Sequence, residues 1–241
     1  MTQGAPVDVD RTRRVLKAAG QIGPYFVIGT GAQSDHDVTG ELYDSQRLDD
    51  ATRKVARRLG TDELRVAASS LQYELAERLW SIVLGAWILD DVVVDLSNLT
   101  WRAAPNGRIR LHLTEPAAFD HRDTEPTQAA TAIADVVVTG QLSALHRGLR
   151  TVTRVAEGLL WGNAATALVL ATQTLHSRNR EDRVLALSTR LLAAPPLAGH
   201  IVGDITAKVT RRTCCLFYRT SARRTCGDCP LEGTAAVGRR R

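Results

Sequence analysis

The side chains best suited to metal or redox chemistry are four cysteines crowded into one short stretch near the C-terminus. Cys214 and Cys215 are adjacent, ten residues separate Cys215 from Cys226, and two separate Cys226 from Cys229. The preceding 213 residues contain no cysteine. Because a disulfide framework distributes its cysteines along a chain, this crowding predicts one local metal site held by thiolates.

The adjacent pair indicates which kind of metal site to expect. Neighbouring side chains on an extended strand point to opposite faces, so Cys214 and Cys215 reach one site only at a kinked backbone or through two metal atoms. A binuclear cluster provides the second metal atom, whereas structural zinc sites normally take spaced pairs. In the other pair, Gly227 allows the tight turn that aims Cys226 and Cys229 at one metal. A binuclear cluster is favoured, and structural zinc is the alternative.

Positive charge is concentrated at the same end of the chain. The stretch from Ile205 to Arg241 contains nine basic residues and only two acidic ones, Asp228 and Glu232, which gives it a net charge of +7, while the whole chain carries +5. The basic residues are Lys208, Arg211, Arg212, Arg219, Arg223, Arg224, Arg239, Arg240 and Arg241. An anionic partner is expected here, and nucleic acid, an acidic protein or an anionic chelate would each satisfy the charge.

The rest of the chain has the patterns of an α+β protein with helix in excess. Hydrophobic residues make up 44% of the chain but aromatic residues only 5%, which favours closely packed helices. In the N-terminal part the patterns predict a helix at 9–19, a strand at 25–28 and a helix at 45–59, followed by a second, long helix that Thr61 caps. Further along they predict a hairpin of 99–103 with 108–114 and then helices through 127–194. The long second helix is expected to have one buried face and a polar outer side. Asp90-Asp91 reads as the end of that helix, and Pro195-Pro196 ends the last one.

Several classes are excluded by what the sequence lacks. No run of 18 uncharged apolar residues occurs, and the first 20 residues carry charges where a signal peptide has an apolar stretch. A cytoplasmic protein without a transmembrane segment is therefore expected. Gly29 and Gly31 follow a possible strand, but Ser34 stands where a dinucleotide-binding fingerprint needs its third glycine.

At the cysteines the sequence also resembles a known family. Residues 211–219 (RRTCCLFYR) and 226–231 (CGDCPL) resemble the C-terminal signature of FhuF-type ferric-siderophore reductases. Weaker similarity to helical stretches of that family lies at 67–71, 78–80 and 159–163. Within the last stretch, Trp161 is expected to be a core residue more readily than part of a siderophore pocket.

This resemblance implies the ligands, the cofactor and the activity. In the FhuF family four cysteines hold a 2Fe-2S cluster, which makes Cys214, Cys215, Cys226 and Cys229 the cluster ligands here. The implied reaction is one-electron reduction of a ferric siderophore, a hydroxamate or a similar chelate, with release of Fe(II). Because no nicotinamide or flavin motif is visible, an external electron donor such as a ferredoxin is expected.

The resemblance also suggests how the chain is organised. Residues 1–195 would form an α+β siderophore-binding domain, and residues 196–241 the 2Fe-2S-binding segment with its basic tail. The candidates for substrate docking are Arg211, Arg212, Arg219, Arg223 and Arg224. No general acid or covalent nucleophile is assigned. The alternative function is a non-enzymatic four-cysteine zinc or iron–sulfur module that binds nucleic acid or senses redox state, but no recognition helix adjoins the cysteines, so no nucleic acid is expected.

Overall fold

The computed structural model describes residues 4–31, 43–179 and 182–232. Ser34 and residues 239–241 lie outside them. The helices are α1 Val9–Gly20, α2 Ser45–Leu59, α3 Leu64–Asp90, α4 Pro126–Ala134, α5 Ser143–Val152, α6 Glu157–Asn179 and α7 Asp182–Ala193. A π-helical stretch, Asp135–Leu142, joins α4 to α5. Helix exceeds strand, which confirms the predicted α+β class.

The strands are short and form three small sheets. They are β1 Ala5–Pro6, β2 Gly29–Thr30, β3 Val92–Asp95, β4 Leu99–Ala103, β5 Ile109–Leu113, β6 Ala117–Asp120, β7 Ile201–Gly203 and β8 Val209–Arg211. Their orders are β1-β6-β3, β2-β5-β4 and β7-β8. The predicted hairpin is confirmed, since β4 pairs with β5 in antiparallel register around the turn that contains Gly107. The predicted strand at 25–28 is wrong: a 3₁₀ turn, Pro24–Phe26, stands there.

Helix α3 is the centre of the molecule. It packs against α1, α2, α6 and β3, and every residue from 79 to 88 is buried. The expected polar outer side is therefore wrong for this half of the helix, because neighbours cover it all round. Trp80 ties α3 to α6 directly, since its indole Nε1 donates to the Ala164 carbonyl over 3.1 Å. None of the helices in the described ranges is long and apolar enough to cross a membrane.

Capping residues and left-handed residues determine where α2 and α3 begin and end. Asp44 caps α2 by accepting the N–H of Arg47 at 2.9 Å, and Gly60 ends it in the left-handed conformation, with φ of +58°. Thr61 was the predicted cap of α3, but the N-cap residue is Glu63. At the other end Asp91, with φ of +53°, turns the chain directly into β3, as the sequence predicted.

Candidate metal centre

The four cysteines lie in a stretch of little regular structure, which we call the cysteine segment and define as residues 211–231. It follows β8, contains one 3₁₀ turn at Phe217–Arg219, and folds back against α2, α3 and α6. Its loop is tied to the turn between α2 and α3. There Ser221 donates to the Leu59 carbonyl from both its N–H and its hydroxyl, each over 3.0 Å.

The backbone beside the cysteines is held by a chain of buried polar side chains. On α3, the Ser69 hydroxyl donates to the Cys215 carbonyl over 2.8 Å. On α6, the Asn163 amide donates to Ser69 at both Oγ and the carbonyl, each over 3.0 Å. The Asn163 Oδ1 in turn accepts from the Arg211 guanidinium. Ser69 and Asn163 thus join two core helices to the cysteine segment.

Arg211 is the buried charge on which this network depends. It is only 2% exposed, and its Nε donates to the carboxylate of Asp228, which also accepts the Thr166 hydroxyl at 2.9 Å. Burial alone would raise the pKa of Asp228, but the hydrogen bond and charge of Arg211 outweigh it and hold the pKa below its usual value. Arg211 was a candidate for substrate docking. Its guanidinium binds Asp228 and Asn163 and so anchors the cysteine segment, and its role in docking remains a prediction.

Close packing against α6 positions the backbone just before the first cysteine. A methyl group at Gly162 would lie 2.3 Å from the Thr213 hydroxyl oxygen, which is far too close. Thr213 itself donates to the Gly158 carbonyl over 3.2 Å. Gly162 is therefore required by the approach of the cysteine segment to the helix surface, while its neighbour Trp161 is a core residue, as expected.

The cysteines form one close pair across the segment. The sulfurs of Cys215 and Cys226 are 3.3 Å apart, and none of the four cysteines forms a disulfide. The hydrogen bond between these two sulfurs lowers the pKa of Cys215 to about 6 and raises that of Cys226. Burial raises the pKa of Cys214. Sharing one proton thus makes one thiolate in this pair easier to form than in an isolated cysteine.

Backbone amides point at three of the four sulfurs. The Leu216 N–H donates to Cys214 Sγ and the Leu231 N–H to Cys229 Sγ, each over 3.4 Å, and the Phe217 N–H bonds Cys215. Leu216 has φ of +67°, an unusual angle for a bulky residue. The backbone therefore turns sharply directly after the adjacent pair. Amides aimed at sulfur stabilise thiolates and tune iron–sulfur clusters.

Cys215 and Cys226 are close enough to bind one metal atom together. Among the described residues, no group of three or more Cys, His, Asp or Glu side chains is placed to hold a single ion. A two-iron cluster needs only two thiolates at each metal. Two thiolates on one tetrahedral metal with bonds of about 2.3 Å lie about 3.8 Å apart, close to the observed 3.3 Å.

A cavity of about 590 Å³ opens beside the close pair of thiols. Of the four cysteines, Cys215 and Cys226 line it, and the wall includes residues from α2, α3, α6, the turn before β8 and the cysteine segment. Its aromatic lining comes from Tyr25, Tyr73 and Phe217. The volume falls in the range of small-molecule sites, about 300–1,000 Å³. A small ligand in this cavity would lie next to two of the thiols.

Two carboxyl groups of α3 lie in the same wall and differ in their partners. Glu74 accepts from Arg58 at 2.9 Å and from the Ile109 N–H at 3.0 Å. Glu77 has no hydrogen bond or ion pair among the described residues, and burial raises its pKa to about 7. Sequence reasoning missed Glu77. In the sequence Glu77 belongs to no motif and cannot be told apart from a solvent-exposed acidic residue of an amphipathic helix.

The remaining docking candidates lie outside the cavity wall. Arg212, Arg219, Arg223 and Arg224 are exposed, whereas Arg211 is the only one of the five that lines the cavity. Arg219 is paired with Glu63 at 2.7 Å, and the Arg224 guanidinium lies over the Phe217 ring, 6.0 Å from its centroid. These four form an exposed basic surface on the cysteine segment. Their role in docking remains a prediction.

Comparison with known families finds one match, and it falls on the cysteine segment. Residues 211–231 match the model described as the FhuF 2Fe-2S C-terminal domain. Comparisons with curated proteins and with solved structures found no match. The match includes all four cysteines and confirms both the resemblance stated from sequence and the cofactor it implies. Over residues 211–231 this chain is similar to the FhuF 2Fe-2S C-terminal domain, and the cofactor of this segment is a 2Fe-2S cluster.

Proposed function

We propose that this chain is a ferric-siderophore reductase, which transfers one electron to a bound Fe(III) chelate and releases Fe(II). The observation that carries the proposal is the position of Cys215 and Cys226 in the wall of the 590 Å³ cavity. A chelate bound there would be separated from the cluster by little more than the thiolates themselves. Binding and electron transfer would then take place in one site.

Each group of residues would have a distinct part in this reaction. Cys214, Cys215, Cys226 and Cys229 would hold the cluster, which when bound supplies one electron. The aromatic side chains of the cavity wall would contact the organic part of the chelate. Oxygen donors hold Fe(III) tightly, and reduction to the larger, less charged Fe(II) weakens that hold and permits release.

The exposed basic surface suits the electron donor better than the chelate, because its four arginines lie outside the cavity wall. We propose that an acidic one-electron carrier such as a ferredoxin docks at Arg212, Arg219, Arg223 and Arg224, by charge attraction. A reducing cytoplasm would keep the thiols available for the cluster. Donor and chelate would then approach the cluster from separate surfaces.

The test uses protein purified without oxygen, reduced with dithionite and freed of excess reductant. A ferric hydroxamate is added together with a ferrous trap. We expect the cluster absorption to return as Fe(II) is trapped, at one iron per cluster oxidised. If the cluster stays reduced and no Fe(II) is trapped, the chain is not a siderophore reductase. Colourless protein with one bound zinc would favour the non-enzymatic four-cysteine module instead.

A pair of variants tests whether the cavity is where the chelate reacts. Ala207 is exposed at the cavity rim, and Ala222 is exposed in the cysteine segment outside it. Ala207→Trp should slow oxidation of the cluster by the ferric hydroxamate at least tenfold, whereas Ala222→Trp should not. Oxidation by ferricyanide, a small outer-sphere oxidant, should remain unchanged in both. Equal rates with the chelate in the two variants would place its reaction elsewhere.

A further inference from the structure

Glu77 differs from every other charged side chain in the cavity wall. Within the described residues, Arg58 pairs with Glu74, Arg211 with Asp228, and Lys208 with Glu232 at 3.2 Å. Glu77 has no such partner. Glu77 is partly buried, and an unpaired carboxyl group in such a place is unfavourable for stability unless it is protonated or has a function. Its position in the cavity with Cys215 and Cys226 suggests a function.

The groups around Glu77 leave its proton available. On its own helix these are Glu74, Tyr73 and Arg78, and on the 3₁₀ turn the group is Tyr25. The charge of Arg78 lowers the pKa of Glu77, but burial has the larger effect. Arg78 itself donates to the Pro24 carbonyl over 3.3 Å, and its guanidinium lies 5.6 Å from the centroid of the Tyr25 ring. Burial raises the pKa of both tyrosines, so they stay neutral. The other charged groups of the wall are Arg58, Lys208, Arg211 and Asp228.

We propose that Glu77 is the proton donor of the reaction, protonating the first hydroxamate oxygen that leaves the iron. This inference rests on the proposed reductase function. One electron from the reduced cluster converts Fe(III) to Fe(II), one Fe–O bond breaks, and an O–H bond forms on the released oxygen. The proton comes from the Glu77 carboxyl group, which becomes a carboxylate. A proton from the buffered bulk solvent, passed through water in the open cavity, then restores the carboxyl group.

Two chemical facts make this step favourable. A hydroxamic acid is a much weaker acid than a carboxylic acid, so a free hydroxamate oxygen takes the proton readily. Without that proton the oxygen would bind the iron again, because the negative charge on the oxygen is what attracts it to the metal ion. Burial keeps the pKa of Glu77 at about 7, so much of the carboxyl group is protonated at neutral pH.

The decisive experiment follows cluster oxidation and iron release separately. Reduced protein is mixed with a ferric hydroxamate, cluster oxidation is read from visible absorbance, and Fe(II) release from a ferrous trap. For Glu77→Gln we expect cluster oxidation within twofold of the unmodified rate and iron release about 100-fold slower. Release from the unmodified protein should slow as pH rises through about 7, because the carboxyl group loses its proton. The variant should lose that dependence.

Two further variants serve as controls. Glu77→Asp keeps a carboxylic acid and should recover most of the release rate. Glu115→Gln removes an exposed carboxyl group on the loop after β5 and should behave as the unmodified protein. A readout without substrate is the infrared carboxylic-acid band of the oxidised protein. It should titrate near pH 7 and vanish in Glu77→Gln but not in Glu115→Gln.

The possible failures are distinguishable. If the ferric hydroxamate does not oxidise the cluster of the unmodified protein, the reductase function itself fails and the role of Glu77 fails with it. If the cluster is oxidised but Glu77→Gln releases iron as fast as the unmodified protein, only the proton-donor inference is overturned. Absence of a titrating carboxyl band in the unmodified protein would overturn it as well.

Discussion

The centre of α3 and the cysteine segment are stabilised by different forces. Every residue from 79 to 88 of α3 is buried, and its environment is almost wholly apolar. In the cysteine segment the buried residues are Arg211, Thr220 and Cys229. Hydrogen bonds hold the segment to the core, and the Arg211–Asp228 ion pair joins two residues of the segment itself. Apolar burial is non-directional and tolerant, whereas polar links depend on each partner. The core is thus stabilised by many apolar contacts, whereas the segment depends on a few specific polar ones.

The largest effect is expected in the core. Leu75 is fully buried on α3, and Leu75→Ala removes its contacts and leaves a cavity, which should lower the free energy of unfolding by about 4 kcal/mol. Leu89, 41% exposed near the end of the same helix, is the matched control, and Leu89→Ala should cost less than about 1 kcal/mol. Chemical denaturation followed by circular dichroism measures both. Similar losses at the two positions would contradict the central place of α3.

The second effect is local to the cysteine segment. Arg211→Met leaves Asp228 buried without its partner, which should weaken the attachment of the segment by about 3 kcal/mol. In cluster-free protein, proteolysis within residues 219–225 should accelerate about 100-fold, while the unfolding midpoint of the helices changes little. Arg212→Met removes an exposed neighbour and should change neither. A lower midpoint for the whole chain would show that segment and core unfold as one unit, against the comparison.

The sequence predicted the cysteine segment well because its chemistry is local. Four thiols within 16 residues can be recognised as a metal site without knowing the fold. The helix at 45–59 and the hairpin around Gly107 were also predicted, since caps, turn residues and short-range periodicity determine them. In each case the residues that carry the signal are close in sequence.

What the sequence did not predict depends on contacts between distant residues. Ser69 and Cys215 are 146 residues apart, and Asn163 and Arg211 are 48 apart, so no local pattern links them. Arg211 was therefore grouped with its exposed neighbours, because charge alone does not reveal a buried carboxylate partner. The polar outer side expected for α3 was wrong for the same reason, since helices that cover it lie far along the chain.

The third effect is a pH dependence of stability caused by Glu77, which lies on α3 in the cavity wall. Burial raises the pKa of Glu77 from 4.5 to about 7, so the folded chain binds more protons than the unfolded chain between these values. The contribution of Glu77 to stability therefore falls as pH rises through this window. The full shift would correspond to roughly 3 kcal/mol at about 1.36 kcal/mol per pKa unit. Because Glu77 is partly exposed, solvent screening reduces this effect, and relative to Glu77→Gln the unmodified protein should lose roughly 2 kcal/mol between about pH 4.5 and 7.5. Denaturant unfolding of both proteins across this range measures the difference, and a constant difference would mean that Glu77 is well solvated.

The smallest effect is expected at the exposed edge of the cysteine segment. Arg219 and Glu63 form an ion pair at 2.7 Å, but both side chains are more than one third exposed, so Arg219→Gln should change stability by less than about 0.5 kcal/mol. The same substitution removes one positive charge from the basic surface proposed to meet the electron donor. Reduction by an acidic ferredoxin should therefore slow at low salt, and the difference from the unmodified protein should vanish above roughly 0.5 M salt, where screening is short-ranged. If Arg219→Gln instead weakened the attachment of the segment as much as Arg211→Met, the Arg219–Glu63 pair would be a structural contact. The contrast between the buried Arg211 and the exposed basic surface would then not hold.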